Sequence, residues 1–315
     1  MTSSSTQFTV SAPGSLMLMG EHAVLHGRPA LCMAVHPRMK AVVHPRQDRE
    51  IHITSDLGEL HTNLDALPES HNLNFVLECI RSTPPEKGWD LAITSDLSSQ
   101  QGLGTSAAVT VVTLAALQRL SGHPFDPAEL LIRSRDIIRS VQGRGSGCDA
   151  AASVYGGIVR VEPDPFRVEP IHTTTDFLLA YVGYKTPTAE VISKVESLRQ
   201  QHPALYEQLF SAMETCVTAC VEALRQGDWE QVGFLMNRHH GLQAALGTSD
   251  LLLEQLVHSF NQTPGILGAK ISGSGLGDSV LALGTPDGLP EDLNASRVRI
   301  SEQGVQIHDE CRHSR

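Results

Sequence analysis

The sequence predicts an α/β (α+β) chain, and three observations carry that prediction. Residues 6–94 read mostly as short strands around Gly and Pro turns. Residues 107–260 hold several runs with helical spacing. Apolar, strand-like runs recur at 158–161, 177–182 and 280–283. The Pro-rich polar stretch 162–175 is the best linker in the chain, so the sequence reads as two parts.

Taken in order, residues 6–12 partly alternate and predict a strand, broken at Pro13-Gly14 and resumed at Ser15–Met19. Glu21 and His22 stand beside a turn, as either a structural hydrogen-bond node or part of a binding site. Residues 39–63 predict an antiparallel pair of strands, Asn72–Arg81 a helix and Trp89–Thr94 a strand. The small, apolar run Ala107–Leu120 predicts a buried helix. Asp126 is a credible N-cap for a helix over Pro127–Val141, with Pro at the first helical position. Helices are expected at 189–200, 205–226, 229–246 and 250–260, and one strand at 297–307 closes the chain.

The 315 residues are 41% hydrophobic and 19% charged, the balance of a globular protein. No apolar run approaches the ~20 residues of a membrane-spanning helix, and the N-terminus lacks a secretory pattern. A cytoplasmic protein is expected. The formal net charge of -11 argues against nucleic-acid or anionic-membrane partners. A phosphate substrate would therefore need a local positive field. The six cysteines form no CxxC pair, and Cys216 with Cys220 lacks two further zinc ligands at usual spacing.

Three Gly-rich loops carry the chemistry. In Gln101–Ala108, Gly102 and Gly104 precede Thr105, Ser106 and the buried helix. Such a loop is a phosphate cradle on a helix N-terminus, or a turn capped by Thr105 or Ser106. No Lys follows the glycines, so it is not a Walker A loop. The second loop, Gln142–Asp149, opens a helix of small residues with Asp149 at its start, either an N-cap or a functional carboxylate. Small residues on both helices predict close packing that brings Asp149 near Ser106. The third loop, Gly268–Ser279, precedes a strand, which excludes a dinucleotide-binding βαβ unit and suggests a tight hairpin. Together they offer a triphosphate cradle, oxygen ligands for Mg²⁺ and a carboxylate to position an attacking hydroxyl.

Five segments in this order resemble the GHMP-superfamily kinases, most closely the mevalonate kinases. They are Ala12-Pro13-Gly14 with Gly20–Gly27, Gly102–Ala108, Ser146–Asp149 with Tyr155-Gly156-Gly157, Met236–His240 with Leu242 and Ala245-Leu246-Gly247, and Lys270–Gly277. The resemblance implies two lobes: an N-terminal ribosomal-protein-S5-like lobe (1–170) and a C-terminal ferredoxin-like lobe (171–315). It implies ATP and Mg²⁺ as cofactors and Asp149 as general base. It implies that Gly102, Leu103, Gly104, Thr105, Ser106 and Ala107 hold the ATP phosphates, with Gly273, Ser274 and Gly275 completing the pocket. Ser106 would bind the metal, and Glu21 and His22 would line the substrate site. The implied reaction phosphorylates the 5-hydroxyl of mevalonate, a small-molecule alcohol. The alternatives are a phosphomevalonate kinase or another GHMP kinase, a non-catalytic sensor of the same fold, and a diphosphomevalonate decarboxylase. A homodimer is compatible with any of them.

Three departures from the family pattern stand out. Ser15 replaces the usual Lys, leaving Arg144 or Lys185 as substitute cations at the substrate. Ile138 replaces the metal-binding Glu eleven residues before Asp149, and the nearest carboxylate for the metal is Asp136. The loop 142–147 and the pair Gly277-Asp278 are more similar to phosphomevalonate kinases.

Overall fold

Strand β1 (Phe8–Met19) runs straight through the expected break at Pro13-Gly14. In the computed structural model, which describes residues 7–69, 72–97, 102–286, 288 and 293–309, β1 pairs antiparallel with β2 (Ala30–Pro45). The register shifts between Pro13 and Gly14. Proline cannot donate to the ladder and is tolerated at such a bulge. Gly14 is required there, because a Cβ would lie 2.5 Å from Leu97 Cδ2 and 2.9 Å from the Leu103 carbonyl oxygen. Gln101 of the first Gly-rich loop and Cys311, one of the six cysteines, lie outside the described residues.

The first sheet continues through β3 (Glu50–Ser55), β4 (Gly58–Asn63) and β5 (Trp89–Ser95), in the order β12-β1-β2-β5-β3-β4. The expected pairing of residues 39–44 with 51–55 does not form. Strand β5 lies between them, antiparallel to β2 and parallel to β3. Trp89 and Leu91 are almost wholly buried, and a central position in the sheet buries them better than an edge. Helices α1 (Asn74–Ser82), α2 (Thr105–Leu120), α3 (Pro127–Gln142) and α4 (Cys148–Tyr155) belong to this lobe. Asp126 caps α3 as expected, accepting from the Ala128 and Glu129 amides. Ala108, Ala115 and Ala150–Ala152 are fully buried or nearly so, and α2 and α4 pack against each other and on β1 and β2.

The stretch 162–175 is not a linker. Strand β6 (Ile158–Pro163) turns at Asp164-Pro165 into β7 (Phe166–Ile171), paired in unbroken register from Ile158↔Ile171 to Pro163↔Phe166. Phe166 and Val168 pack on the core, and the Arg135 guanidinium lies 4.2 Å from the Phe166 ring centre. The change to the second sheet comes after β7.

That sheet holds β8 (Asp176–Lys185), β9 (Ile266–Ser272), β10 (Gly277–Gly284) and β11 (Ala295–Arg299), in the antiparallel order β11-β8-β10-β9. Helices α7 (Trp229–Ala245) and α8 (Leu251–Gln262) pack on β9, with α5 (Thr188–Gln201) and α6 (Pro203–Gln226) beside them. The expected single strand 297–307 splits. After β11 the chain crosses back, and β12 (Gln306–Asp309) pairs with β1. The crossing is held by the Arg38 guanidinium, which donates to the carbonyls of Gln303 (2.9 Å) and Gly304 (2.7 Å). The largest apolar cluster includes residues of both sheets, while Leu178, Ala180, Phe260, Ile271 and Val280 belong to a separate cluster of the second lobe. Among the described residues, no helix is long and apolar enough to cross a membrane.

Candidate active site

Helix α2 begins without a side-chain cap. Its N-cap is Gly104 in the left-handed region (φ 65°), not Thr105 or Ser106, so the capped-turn reading gives way. Ala107 and Ala108 donate to the Gly104 carbonyl, while the Thr105 and Ser106 amides find no acceptor among the described residues. Free amides at the positive end of a 16-residue helix form an anion site. Gly104 also has no room for a side chain, since a Cβ would overlap Ser15 Oγ. Gly104→Ala is therefore expected to cost at least ~1–2 kcal/mol in denaturant unfolding, from left-handed strain alone. It should also weaken ATP binding in calorimetry.

The same wall carries Asp149. Helix α4 starts at Gly147 (φ 87°), again with no side-chain cap, and Asp149 lies in its first turn instead of capping it. Its carboxylate is freed for other contacts. Ser15 donates to Asp149 Oδ1 at 2.8 Å, and the Cys32 thiol lies 3.8 Å from the same oxygen. Burial pushes the Asp149 pKa above the usual carboxylate range. The Ser15 hydrogen bond, the Lys185 charge and the Cys32 contact pull it partly back.

Asp149 and the α2 loop line a cavity of ≈ 600 Å³ between the lobes. Of the residues expected at the site, the cavity gathers Glu21, His22, Gly102, Leu103, Gly104, Thr105, Ser106, Ala107, Arg144, Asp149, Lys185, Gly273 and Ser274. Two do not arrive. Gly275 packs on Thr248, whose carbonyl a Cβ would overlap, so it shapes the β9–β10 turn from behind. Asp136 is exposed on α3 and pairs with Arg135. Ile138, two residues on, faces the cavity, and a two-residue step on a helix turns about 200°. Asp136 is thus removed from the metal position. Arg144 stands at the cavity wall with no ion pair among the described residues.

Glu21 and His22 act as a node that also lines the cavity. Lys270 Nζ lies 2.6 Å from Glu21 Oε1, with both side chains buried. Burial would raise the Glu21 pKa, but the charge and hydrogen bond of Lys270 outweigh it and hold Glu21 ionised. His239 is driven down to about 4 by burial and is neutral. Its Nε2 accepts from the Gly20 amide at 2.9 Å, which places the ring proton on Nδ1, 3.8 Å from Glu21 Oε2. His22 Nε2 donates to the Ser274 carbonyl at 2.8 Å. These contacts tie the turn after β1 to α7, β9 and the third Gly loop. Neither Lys270 nor His239 was assigned a partner from sequence, although both lie in segments that carry the family resemblance.

Asp278 was also missed as a site residue. It is nearly buried, has a positive φ (76°), and its Oδ2 lies 3.2 Å from Lys185 Nζ. Burial raises its pKa, and Lys185 opposes the rise. A lone acid inside a Gly-rich turn was the available signal. Among the described residues no cluster of three or more His, Cys, Asp or Glu could hold a metal, and the described cysteines are free and buried.

A two-lobed fold with an anion-binding helix N-terminus facing a recessed carboxylate defines a class of small-molecule kinases. Residues 72–157 match the family model described as GHMP kinases N terminal domain, and residues 220–296 match that of GHMP kinases C terminal. The mevalonate kinase of Pyrococcus furiosus is 30% identical over 333 residues, covering 95% of this chain and 98% of that one. The chain belongs to the GHMP kinases and, within them, to the mevalonate kinase family. A crystal structure of L. major mevalonate kinase in complex with R-mevalonate shares the fold (TM-score 0.78, 22% identity, 93% of this chain and 96% of that one). So does Streptococcus pneumoniae phosphomevalonate kinase in complex with phosphomevalonate and AMPPNP (TM-score 0.74, 21% identity, 88% and 92%).

Proposed function

We propose that the chain transfers the γ-phosphoryl group of ATP to the 5-hydroxyl of mevalonate. The observation that carries this reading is Asp149 recessed in the same cavity as the uncapped N-terminus of α2. Segments 1–170 and 171–315 would each supply one wall.

The α2 amides and the Gly102–Ala107 backbone would hold the triphosphate, and Gly273 and Ser274 would close the pocket from the other lobe. Mg²⁺ needs few protein ligands when phosphates and waters complete its shell. Ser106 Oγ fits that sparse set, with Ile138 offering nothing. When bound there, the ion would supply charge neutralisation at the phosphates. Asp149 accepts the hydroxyl proton as the alcohol attacks, and its raised pKa suits a base working near neutral pH. Lys185 would stand in for the cation that Ser15 does not provide, and Arg144 would meet the substrate carboxylate.

The charge count favours mevalonate over its phosphorylated form. Among the described residues that line the cavity, Arg144 and Lys185 are the only Lys or Arg, and Lys185 is already paired. A substrate carrying both phosphate and carboxylate would want more cations. ADP release is to be measured with mevalonate, phosphomevalonate and diphosphomevalonate in parallel. Turnover with mevalonate is expected, and turnover with phosphomevalonate alone would overturn the reading. Tight ATP binding without turnover would favour a sensor.

Lys185→Ala is expected to lower kcat by ~10²-fold, the scale of one electrostatic donor. It should also shift the acid limb of the kcat–pH profile upward. The sign follows from charge: Lys185 favours the ionised carboxylate, so its loss raises the Asp149 pKa, and the base is then protonated at higher pH.

A further inference from the structure

Lys185 and Asp278 form an ion pair at the cavity between the lobes. Lys185 ends β8 and sits opposite Gly277 on β10. Asp278, next in the chain, turns its carboxylate onto the lysine at 3.2 Å. A Cβ placed on Gly102 would lie 2.5 Å from Asp278 Oδ1 and 3.4 Å from Lys185 Nζ. The ion pair of one lobe therefore presses on the first residue of the phosphate loop of the other. Gly273 is held open by the same carboxylate, with a would-be Cβ 2.5 Å from Oδ2. The position normally occupied by Lys holds Ser15, which is fully buried and committed to Asp149.

We infer that Asp278 is a positioning residue, fixing the Lys185 ammonium between the α2 phosphate loop and Asp149, where a terminal phosphate must pass to reach the alcohol. The inference rests on the proposed kinase reading and deepens it. A lysine on a flexible stem loses side-chain entropy when it is held over a cavity. A buried counter-ion settles that orientation before nucleotide arrives. In this chain the cation comes from the second lobe and needs its own holder, whereas a Lys at position 15 would come from the strand beside Asp149. Among the described residues, the other charged group acting on the ion pair is Asp149, across the cavity.

The test is a double-mutant cycle on the full chain, with Lys185→Ala, Asp278→Asn and the double variant. Asn tolerates the left-handed backbone, so the turn is kept while the charge is removed. Calorimetric affinities for Mg-AMPPNP and Mg-ADP are compared, and their ratio isolates the terminal phosphate. Both single variants are expected to reduce that ratio by roughly tenfold, part of the ~10²–10³ that one charge-stabilising donor carries. The double variant should be no worse than Lys185→Ala. Additive losses, or an equal loss of affinity for both nucleotides, would give Asp278 a merely structural role and overturn the inference while leaving the kinase reading intact. Wild-type protein that fails to distinguish the two nucleotides would overturn the reading and the inference together. Unchanged ratios in Asp278→Asn alone would remove Asp278 and keep Lys185.

Discussion

Asp149→Asn is expected to lower kcat by about 10²–10⁴-fold, the span that positioned proton acceptors contribute. The amide keeps nearly the same shape, and its oxygen can still accept from Ser15 Oγ, 2.8 Å away in the wild type. Folding should therefore survive, with an unchanged or slightly raised melting temperature, because a carboxylate whose pKa burial raises is costly to keep ionised. What is lost is the carboxylate that accepts from Ser15 in the cavity between the lobes. Steady-state ADP release across pH is the measurement. The variant should show a low rate without the acid limb of the wild type. A rate within tenfold of wild type would remove Asp149 from the chemistry.

The largest stability effect is expected from Lys270→Ala. It leaves the Glu21 carboxylate buried with only a neutral His239 nearby, and breaking such a pair costs ~3–5 kcal/mol. The double replacement Glu21→Gln with Lys270→Met should recover much of the loss, because no charge is then left without a partner. Denaturant unfolding of the three proteins tests this. The pH dependence should also reverse sign. In the wild type Glu21 is held below its unfolded pKa, so its contribution is present above that value and fades as pH falls through the folded one. Without Lys270, burial dominates and the folded pKa rises, so the variant should regain stability as pH falls. Equal slopes in both proteins would show that the pair does not carry the charge.

Local features were readable from residue order because their causes are local. Asp126 before Pro127 announced a capped helix, and the glycines at 102, 104 and 147 take backbone angles that L side chains resist. The helices were placed within a few residues by their apolar spacing. Pairing across the sheets was less readable. The alternation of residues 39–63 is equally consistent with direct pairing or with a third strand between, and only the burial demand of Trp89 and Leu91 decides it. The Pro-rich stretch 162–175 looked like a linker by composition, yet Phe166 and Val168 gave it an apolar face to bury.

At the site the division is similar. Residue types and their spacing brought forward Asp149 and the α2 loop, and the family resemblance brought forward Lys185 and Arg144 as substitute cations. The metal reading of Asp136 failed because sequence distance from Asp149 ignores helical phase, which turns Ile138 to the cavity and Asp136 to solvent. The pairing of Lys185 with Asp278 spans 93 residues and depends on the register of β8 against β10. By itself, then, the sequence marked the α/β class, the glycine loops and Asp149, with the two lobes and the role of Asp149 implied by the family resemblance, because backbone freedom and ionisable chemistry belong to individual residues. Only the tertiary structure brought Lys185 onto Asp278 beside the cavity that Asp149 lines, because strand register and burial bring together charges that chain order keeps apart.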